Sequence, residues 1–485
     1  MKKMNLLVMS LVSAAALSFT SCSSNEELDD NNAGQAKVDG FYMTLNVQTP
    51  KSDGTRTVVN TPTVDATAAE SDVTSGTIYL VDATGKVVFQ KPITESDWKA
   101  GKPTQGNDGS TQIKIEVDKV VAGQTYKVYF LANAGSEDPL NSTFSTTATT
   151  DNKFVGNYAK ANNFAMFNQN DTQVDGNGYT VTFIKANNNE ANPAKVKYNG
   201  AVSPIKVERV VARIDAPTTS KSTVLADAPA DASAALKVAM MDAKEKVKSI
   251  ELTNYAISNL ANKSYVMQNW NSSALVIPDD KEGFSYIQPT AAFGNNYTYQ
   301  NGGFTTTEET KVNYVFENNS TTAPTTMYFE YQIKLDGSKF TGAADFEDGT
   351  FYRYNNVIYT SFTQIFEDYK DVTNLFGEGK NAGTMKEELS NAIKDEATLA
   401  TFRHDYNIEV FKGGKTYYKH VIKDNYIGYA NAIQRNSIYR LNINNIFNVG
   451  AQVPNGEPTE NDFYYLDVEV SVNPWVLNSY NVDLQ

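Results

Sequence analysis

Phe41-Tyr42-Met43-Thr44-Leu45-Asn46-Val47-Gln48 places an apolar side chain at every second position. An extended chain turns successive side chains to opposite faces, so this octet reads as a half-buried strand. Phe41, Met43, Leu45 and Val47 share the inward face, and Tyr42, Thr44, Asn46 and Gln48 share the other. The same period recurs along the chain. Ile78-Tyr79-Leu80-Val81, a turn at Asp82-Ala83-Thr84-Gly85 and Val87-Val88-Phe89 form a hairpin pattern. Ile113, Ile115 and Val117 continue it, followed by Tyr126, Val128 and Phe130, Tyr179, Val181 and Phe183, then Val207 to Ile214. After Ile250-Glu251-Leu252 come Phe329, Tyr331, Ile333 and Leu335, then Ile438 to Ile443. Strands separated by turn clusters, without strand–helix alternation, indicate an all-β sandwich class.

The bulk composition agrees. With 485 residues there is room for about two or three domains. The chain is rich in Tyr, Thr and Asn, which suits half-buried strands joined by polar turns. A composition change after Arg213, with Ala, Asp, Thr, Ser and Pro from Ala216 to Ala235, marks a linker or long loop. One helix is expected late in the chain, with Thr384 and Glu387 at capping-box spacing and Leu389, Ile393 and Ala397 on one face. It reads as a helix packed over the second sandwich.

Function classes narrow quickly. A net charge of −14 with scattered Lys and Arg argues against a nucleic-acid surface. The two histidines, His404 and His420, stand outside any metal or nucleophile motif and read as structural or surface residues. Asn107-Asp108-Gly109 lacks calcium-loop spacing and is a turn. No P-loop, nucleophile elbow or paired-carboxylate constellation stands out, so neither an enzyme nor a cofactor is expected. Sugar-stacking tyrosines would make a surface glycan-binding lipoprotein, but the tyrosines fall largely inside the alternating strands.

The first residues point to export. Lys2 and Lys3 precede an apolar run from Leu6 to Phe19, too short for a comfortable span and flanked like a secretion signal. Phe19-Thr20-Ser21-Cys22 resembles the lipobox of bacterial lipoproteins, with Phe19 where Leu is usual. Cys22 is the single cysteine, so it has no intramolecular disulfide partner and is the expected lipid acceptor. Acyl chains contribute about 0.8 kcal/mol per buried methylene, so a multiply acylated Cys22 would hold a precursor at a membrane. Residues 23–30 are polar and acidic and read as a tether.

Two further features point to assembly. The chain ends in two alternating stretches, Leu466, Val468, Val470 and Val472, then Tyr480, Val482 and Leu484. Pro474 lies between them and is expected to mark a bend or an edge. Near the other end, Thr49-Pro50-Lys51-Ser52-Asp53-Gly54-Thr55-Arg56 is a breaker-rich loop carrying the only arginine before Arg209. Such loops concentrate nicking, so a cut between Arg56 and Thr57 would release Cys22 together with the Phe41–Val47 strand. The sheet left behind would be a template for a donated strand.

The chain resembles the type V fimbrillins, the FimA and Mfa families, and among them the Mfa-type major subunit. The resemblance is carried by the lipobox, Tyr42-Met43-Thr44-Leu45, Tyr126-Lys127-Val128-Tyr129-Phe130-Leu131-Ala132-Asn133 and Val207-Glu208-Arg209-Val210-Val211-Ala212-Arg213. Gly414 to Tyr418, Arg435-Asn436-Ser437-Ile438-Tyr439, Val468 to Trp475 and Ser479 to Leu484 complete it. It implies two tandem transthyretin-like β-sandwich domains with short helical insertions. The expected order is a signal peptide at 1–21, a lipidated propeptide at 22–56, and domains at 57–213 and 214–485. It also implies an outer-membrane precursor cut by an Arg-specific protease and assembled by strand exchange into a surface fimbrium. Its expected partners are identical subunits with anchor and tip fimbrial subunits, and it would touch membrane only through lipid. A tip or accessory adhesin is the alternative within the family. Cys22→Ala is expected to abolish fatty-acid labelling and leave unprocessed precursor; a mutant that still takes up label would remove Cys22 as the acceptor.

Overall fold

The computed structural model describes residues 40–48, 64–101, 110–145, 158–169, 178–184, 188–217, 224–271, 274–278, 312–424, 433–453 and 466–477, with 155 and 286–287. Cys22, Arg56, Thr57, Tyr480, Val482 and Leu484 lie outside these residues. The described chain is mostly strands in several sheets with short helices, as the period-two reading predicts.

The opening elements are β1 (Phe41–Gln48), β2 (Val64–Ala66) and the short helix α1 (Ala68–Ser71). β3 (Gly76–Val81) and β4 (Val87–Ile93) follow as the expected hairpin. Its turn is built by Asp82, whose carboxylate accepts from the Thr84 and Lys86 amides at 2.9 and 3.1 Å, while Gly85 supplies a φ of 84°. β5 (Ser110–Val117) pairs with β1, and β6 (Thr125–Ala132) pairs with β3.

Along its other edge β6 has two partners with a gap between them. Ala132 pairs with Met166 of β7 (Met166–Asn168), and Thr125 to Lys127 pair with the strand Tyr179–Thr182. Asn168 bridges the gap. Its side-chain oxygen accepts from the Phe130 amide at 2.7 Å and its amide donates to the Val128 carbonyl at 3.0 Å. A buried backbone group left unpaired is costly, and this side chain stands in for the missing strand.

The run expected from Val207 to Ile214 is two strands, β8 (Ile205–Arg209) and β9 (Ala212–Asp215). β8 lies in the sheet of β1, while β9 pairs with Val312–Val315 and with a late strand in a second sheet. The chain passes between sheets at Val210 and Val211, whose neighbours complete the backbone pairing: Val210 N donates to Ala165 O and Asn436 N donates to Val211 O. One buried cluster gathers Met43, Leu45, Ile78, Val117, Phe130 and Val207. A second begins with Ala212.

That second cluster is shared by two sheets. β10 (Val247–Ser258), β11 (Thr326–Leu335) and β12 (Lys415–Val421) form one, contributing Ile257, Phe329 and Ile333. β9, β13 (Ser437–Ile446), β14 (Leu466–Leu477) and β2 belong to the other, where Ile214, Tyr439 and Leu441 face the same core.

Two local expectations are corrected. The linker of Ala216 to Ala235 gives way at Ala234 to α2 (Ala234–Lys246), started by the Ser233 cap and burying Leu236, Ala239, Met240 and Ala243. The late helix is two helices. Asn381 is the N-cap and Thr384 its capping-box partner, and the first helix ends at Ala392. Asp395 then accepts from Thr398 N at 2.8 Å and starts Glu396–Tyr406, so Ala397 belongs to the second helix. These helices and Phe362–Asp368 surround a third buried cluster, with Phe362, Leu389 and Phe402.

Asn168→Ala removes both stand-in bonds. It is expected to cost about 2–4 kcal/mol, for two buried backbone groups left unpaired, measured by urea unfolding. A change under about 0.5 kcal/mol would mean that Phe130 and Val128 find other partners.

Candidate functional site

β1 is paired on both edges. All eight of its residues align antiparallel with β5, from Phe41↔Val117 to Gln48↔Ser110. On the opposite edge Met43 and Thr44 run parallel to Ala194 and Lys195, and Val47 and Gln48 run parallel to Ile205 and Lys206. Met43 and Leu45 are fully buried and Val47 is 1% exposed. Phe41 is half-buried, its ring 5.5 Å from that of Phe183, and the Tyr42 amide donates to Asn188 O at 3.1 Å. The four residues expected on one inward face therefore sit there, three of them deep in the first core.

Of the expected terminal strand, Leu466, Val468, Val470 and Val472 lie on β14. β14 pairs antiparallel with β13 over nine residue pairs, from Ile446↔Leu466 to Ser437↔Pro474. The strand does not stop at Pro474 but runs on to Leu477. Pro474 stands where β14 changes partners: its last pair with β13 is at Pro474, and Val64, Asp65 and Ala66 of β2 pair in parallel with Trp475, Val476 and Leu477. A residue without an amide proton is accommodated at such a changeover.

Between the two sheets lies a buried ionic cluster that the sequence reading did not pick out. Glu70 on α1 is its centre. Its Oε1 accepts from Arg213 Nη1 at 3.0 Å and from the Tyr314 hydroxyl at 2.8 Å, and its Oε2 accepts from Thr67 N at 2.8 Å. Arg209, fully buried, donates to the Glu70 carbonyl at 2.7 Å, to Ser71 Oγ at 3.0 Å and to Asn436 Oδ1 at 3.0 Å. Asp215 holds Arg213 at 2.5 Å and Arg440 at 2.8 Å. The only forewarning in the sequence was two arginines, Arg209 and Arg213, inside an apolar strand run.

Electrostatics follow from this packing. Burial pushes the Glu70 carboxyl up, but Arg213 and the bonds from Thr67 and Tyr314 outweigh it and hold it below its ordinary 4.5. Burial draws Arg209 down to about 9, opposed by the charge of Glu70, so it stays protonated at neutral pH. For Arg213 burial is likewise unfavourable, yet Asp215 and then Glu70 leave the net shift upward. A second such centre joins Arg435 to Glu317 at 2.8 Å and to the carbonyls of Val266 and Tyr265 at 2.9 and 2.7 Å. His420 is driven down to about 4 by burial and then by Lys423, while His404 is exposed. Among the described residues no cluster of metal-ligating side chains occurs.

Because Glu70 is depressed on folding, its contribution is fully present above pH 4.5 and is lost as pH falls through the lower folded value. Wild-type melting temperature is therefore expected to fall more steeply with acidification below about 4.5 than that of Glu70→Gln. Parallel curves in differential scanning fluorimetry would remove Glu70 as the acid-sensitive group.

The described arrangement can be set beside known proteins. Residues 42–209 match the model of the major fimbrial subunit protein (FimA) family. Residues 409–481 match that of the major fimbrial subunit protein type IV, fimbrillin, C-terminal family. No curated protein matches the chain. Among solved structures, a putative cell adhesion protein from Parabacteroides distasonis is 14% identical, with 91% of this chain and 98% of that one covered at a TM-score of 0.45. The tip fimbrial protein Mfa3 from Porphyromonas gingivalis is 13% identical, with 90% and 99% covered at 0.33. The two matched regions, one reaching from β1 to β8 and the other holding β12 to β14, make the chain similar to fimbrial subunit proteins near both of its ends.

Proposed function

We propose that this chain is a polymerising shaft subunit of a surface fimbrium, exported as a lipoprotein, cut after Arg56 and assembled by strand exchange. The observation that carries the reading is the place of β1. It precedes the Arg56 loop in sequence yet lies inside the first sheet, hydrogen-bonded on both edges. A cut between Arg56 and Thr57 makes this strand separable from the fold it completes. Its departure opens two rows of backbone groups and the sites of Met43, Leu45 and Val47, with that of Phe41 at the rim. Unpaired strand edges are templates for another chain, and alternate pockets select its side chains.

In this reading two tandem transthyretin-like sandwiches, 57–213 and 214–485, form the mature subunit. The donated strand comes from the C-terminus of an identical subunit. β14 is held by β13 and β2 in its own sheet, so the stretch that follows it, with Tyr480, Val482 and Leu484, is the donor we favour. Three apolar anchors at about 1.5–3 kcal/mol each offer several kcal/mol before ordering costs are counted. Cys22 lipid keeps the precursor at the outer membrane until an Arg-specific protease acts, and anchor and tip subunits of the same family bound the fibre. The subunit's work is structural and calls for no catalytic group.

Arg56→Ala is expected to fold normally, keep β1, and give no ladder on unboiled gels after limited trypsin, while wild type gives one. Removing residues 478–485 should spare folding, lipidation and cleavage but turn the subunit into a chain terminator that shortens wild-type fibres in proportion to its share. Equal ladders from wild type and Arg56→Ala would remove Arg56 as the gate. Truncated protein that extends fibres normally would remove residues 478–485 as the donor.

A further inference from the structure

We infer that Val64–Ser71 is a brace that carries tension from the root of the C-terminal strand into the first core. The inference rests on the strand-exchange reading and concerns what happens to a subunit once its end is held by a neighbour. In such a fibre each subunit is pulled at two places: at the groove vacated by β1, and at the C-terminal end of β14, from which the donated stretch departs.

Two ladders receive the second pull. β13 holds β14 up to Pro474, and β2 holds its last three residues, Trp475, Val476 and Leu477. Both ladders lie along the pulling axis, with their hydrogen bonds across it, so the bonds are strained together instead of parting one by one. β13 leads into the second core. β2 leads elsewhere: it is followed at once by α1, and α1 is fixed to the first core and its margin. Asn162 N donates to Ala69 O at 2.5 Å, and Arg209, at the end of β8, holds the Glu70 carbonyl and Ser71 Oγ. Glu70 in turn ties Arg213 of β9 and Tyr314 of the adjacent strand. β8 itself pairs with β1, so it forms one wall of the groove that would receive the neighbour's strand. The route from donor root to acceptor wall is therefore β14, β2, α1, Arg209, β8.

The alternative for β2 is a catch that must open before the strand can be donated. The geometry points the other way. Cutting at Arg56 frees the chain ahead of β2, but every contact that fixes α1 lies after it and is untouched by the cut. A strand tethered two residues from a pinned helix is not released by severing its distant end.

The test uses the full-length chain with Asp65→Cys and Val476→Cys, residues aligned in the parallel ladder. Neighbouring strands lie about 4.8 Å apart, inside the usual span of a disulfide. In the strand-exchange reading the sole native cysteine, Cys22, carries lipid on its thiol and leaves with the propeptide on cleavage. Oxidised and reduced protein, each processed with trypsin, are compared for polymerisation and then for the rupture force of single fibres. The brace predicts equal polymerisation and a higher rupture force on oxidation. Glu70→Gln should assemble but give fibres of lower rupture force; the disulfide pair stands alone if that variant misfolds. Fibre growth blocked by oxidation, or a rupture force indifferent to it, overturns the brace while leaving strand exchange intact. Wild type that never polymerises overturns both.

Discussion

Backbone pairing on both edges of β1 is the constraint around which the first half of the molecule is organised. Eight residue pairs with β5 on one side and parallel pairs on the other leave this strand no free edge where it is covered. Its buried side chains sit in the same cluster as those of β3, β6 and β8, so the core cannot be described without it. A strand so placed is cheap to supply as part of one chain and costly to withdraw. Withdrawing it exposes amides, carbonyls and apolar pockets together.

The two halves meet through charge buried among apolar neighbours. An unpaired carboxylate or guanidinium there would be strongly unfavourable, and each charged member of the Glu70 cluster is held by another. Such pairs add less to net stability than their Coulomb energy suggests, but breaking one leaves its partner stranded. The cluster therefore favours one relative placement of α1, β8 and β9 over near alternatives. Arg435 and Glu317 do the same where the strand Lys263–Tyr265 pairs with Thr143–Ser145 of the first half.

The strands were the legible part of the sequence because their signal is local. Phe41 to Val47 and Phe329 to Leu335 show their buried faces in their own spelling, and both are strands in the fold. Boundaries that depend on tertiary partners were less so. Val207 to Ile214 reads as one run, and only the position of the second sheet explains why the chain changes sheets at Val210. The helix from Ala234 was hidden by an Ala- and Asp-rich stretch read as linker, although Leu236, Ala239, Met240 and Ala243 keep helical spacing. The pattern of Leu389, Ile393 and Ala397 crossed a break that Asp395 makes with a single cap. Glu70 could not have been found as a cluster centre from spacing, since Arg213 and Tyr314 lie more than a hundred residues away from it.

The third cluster is housed in a segment whose first and last strands are neighbours: Phe351 pairs with Phe411 and Arg353 with Glu409. The helices between them close on themselves, so the loop entropy of the segment is settled within it. What lies between Tyr359 and Glu409 can thus drift in length and surface chemistry under selection, while the sheets that frame it keep their register. If the chain is the surface subunit proposed above, that segment can change what it presents to the outside without altering how the rest folds.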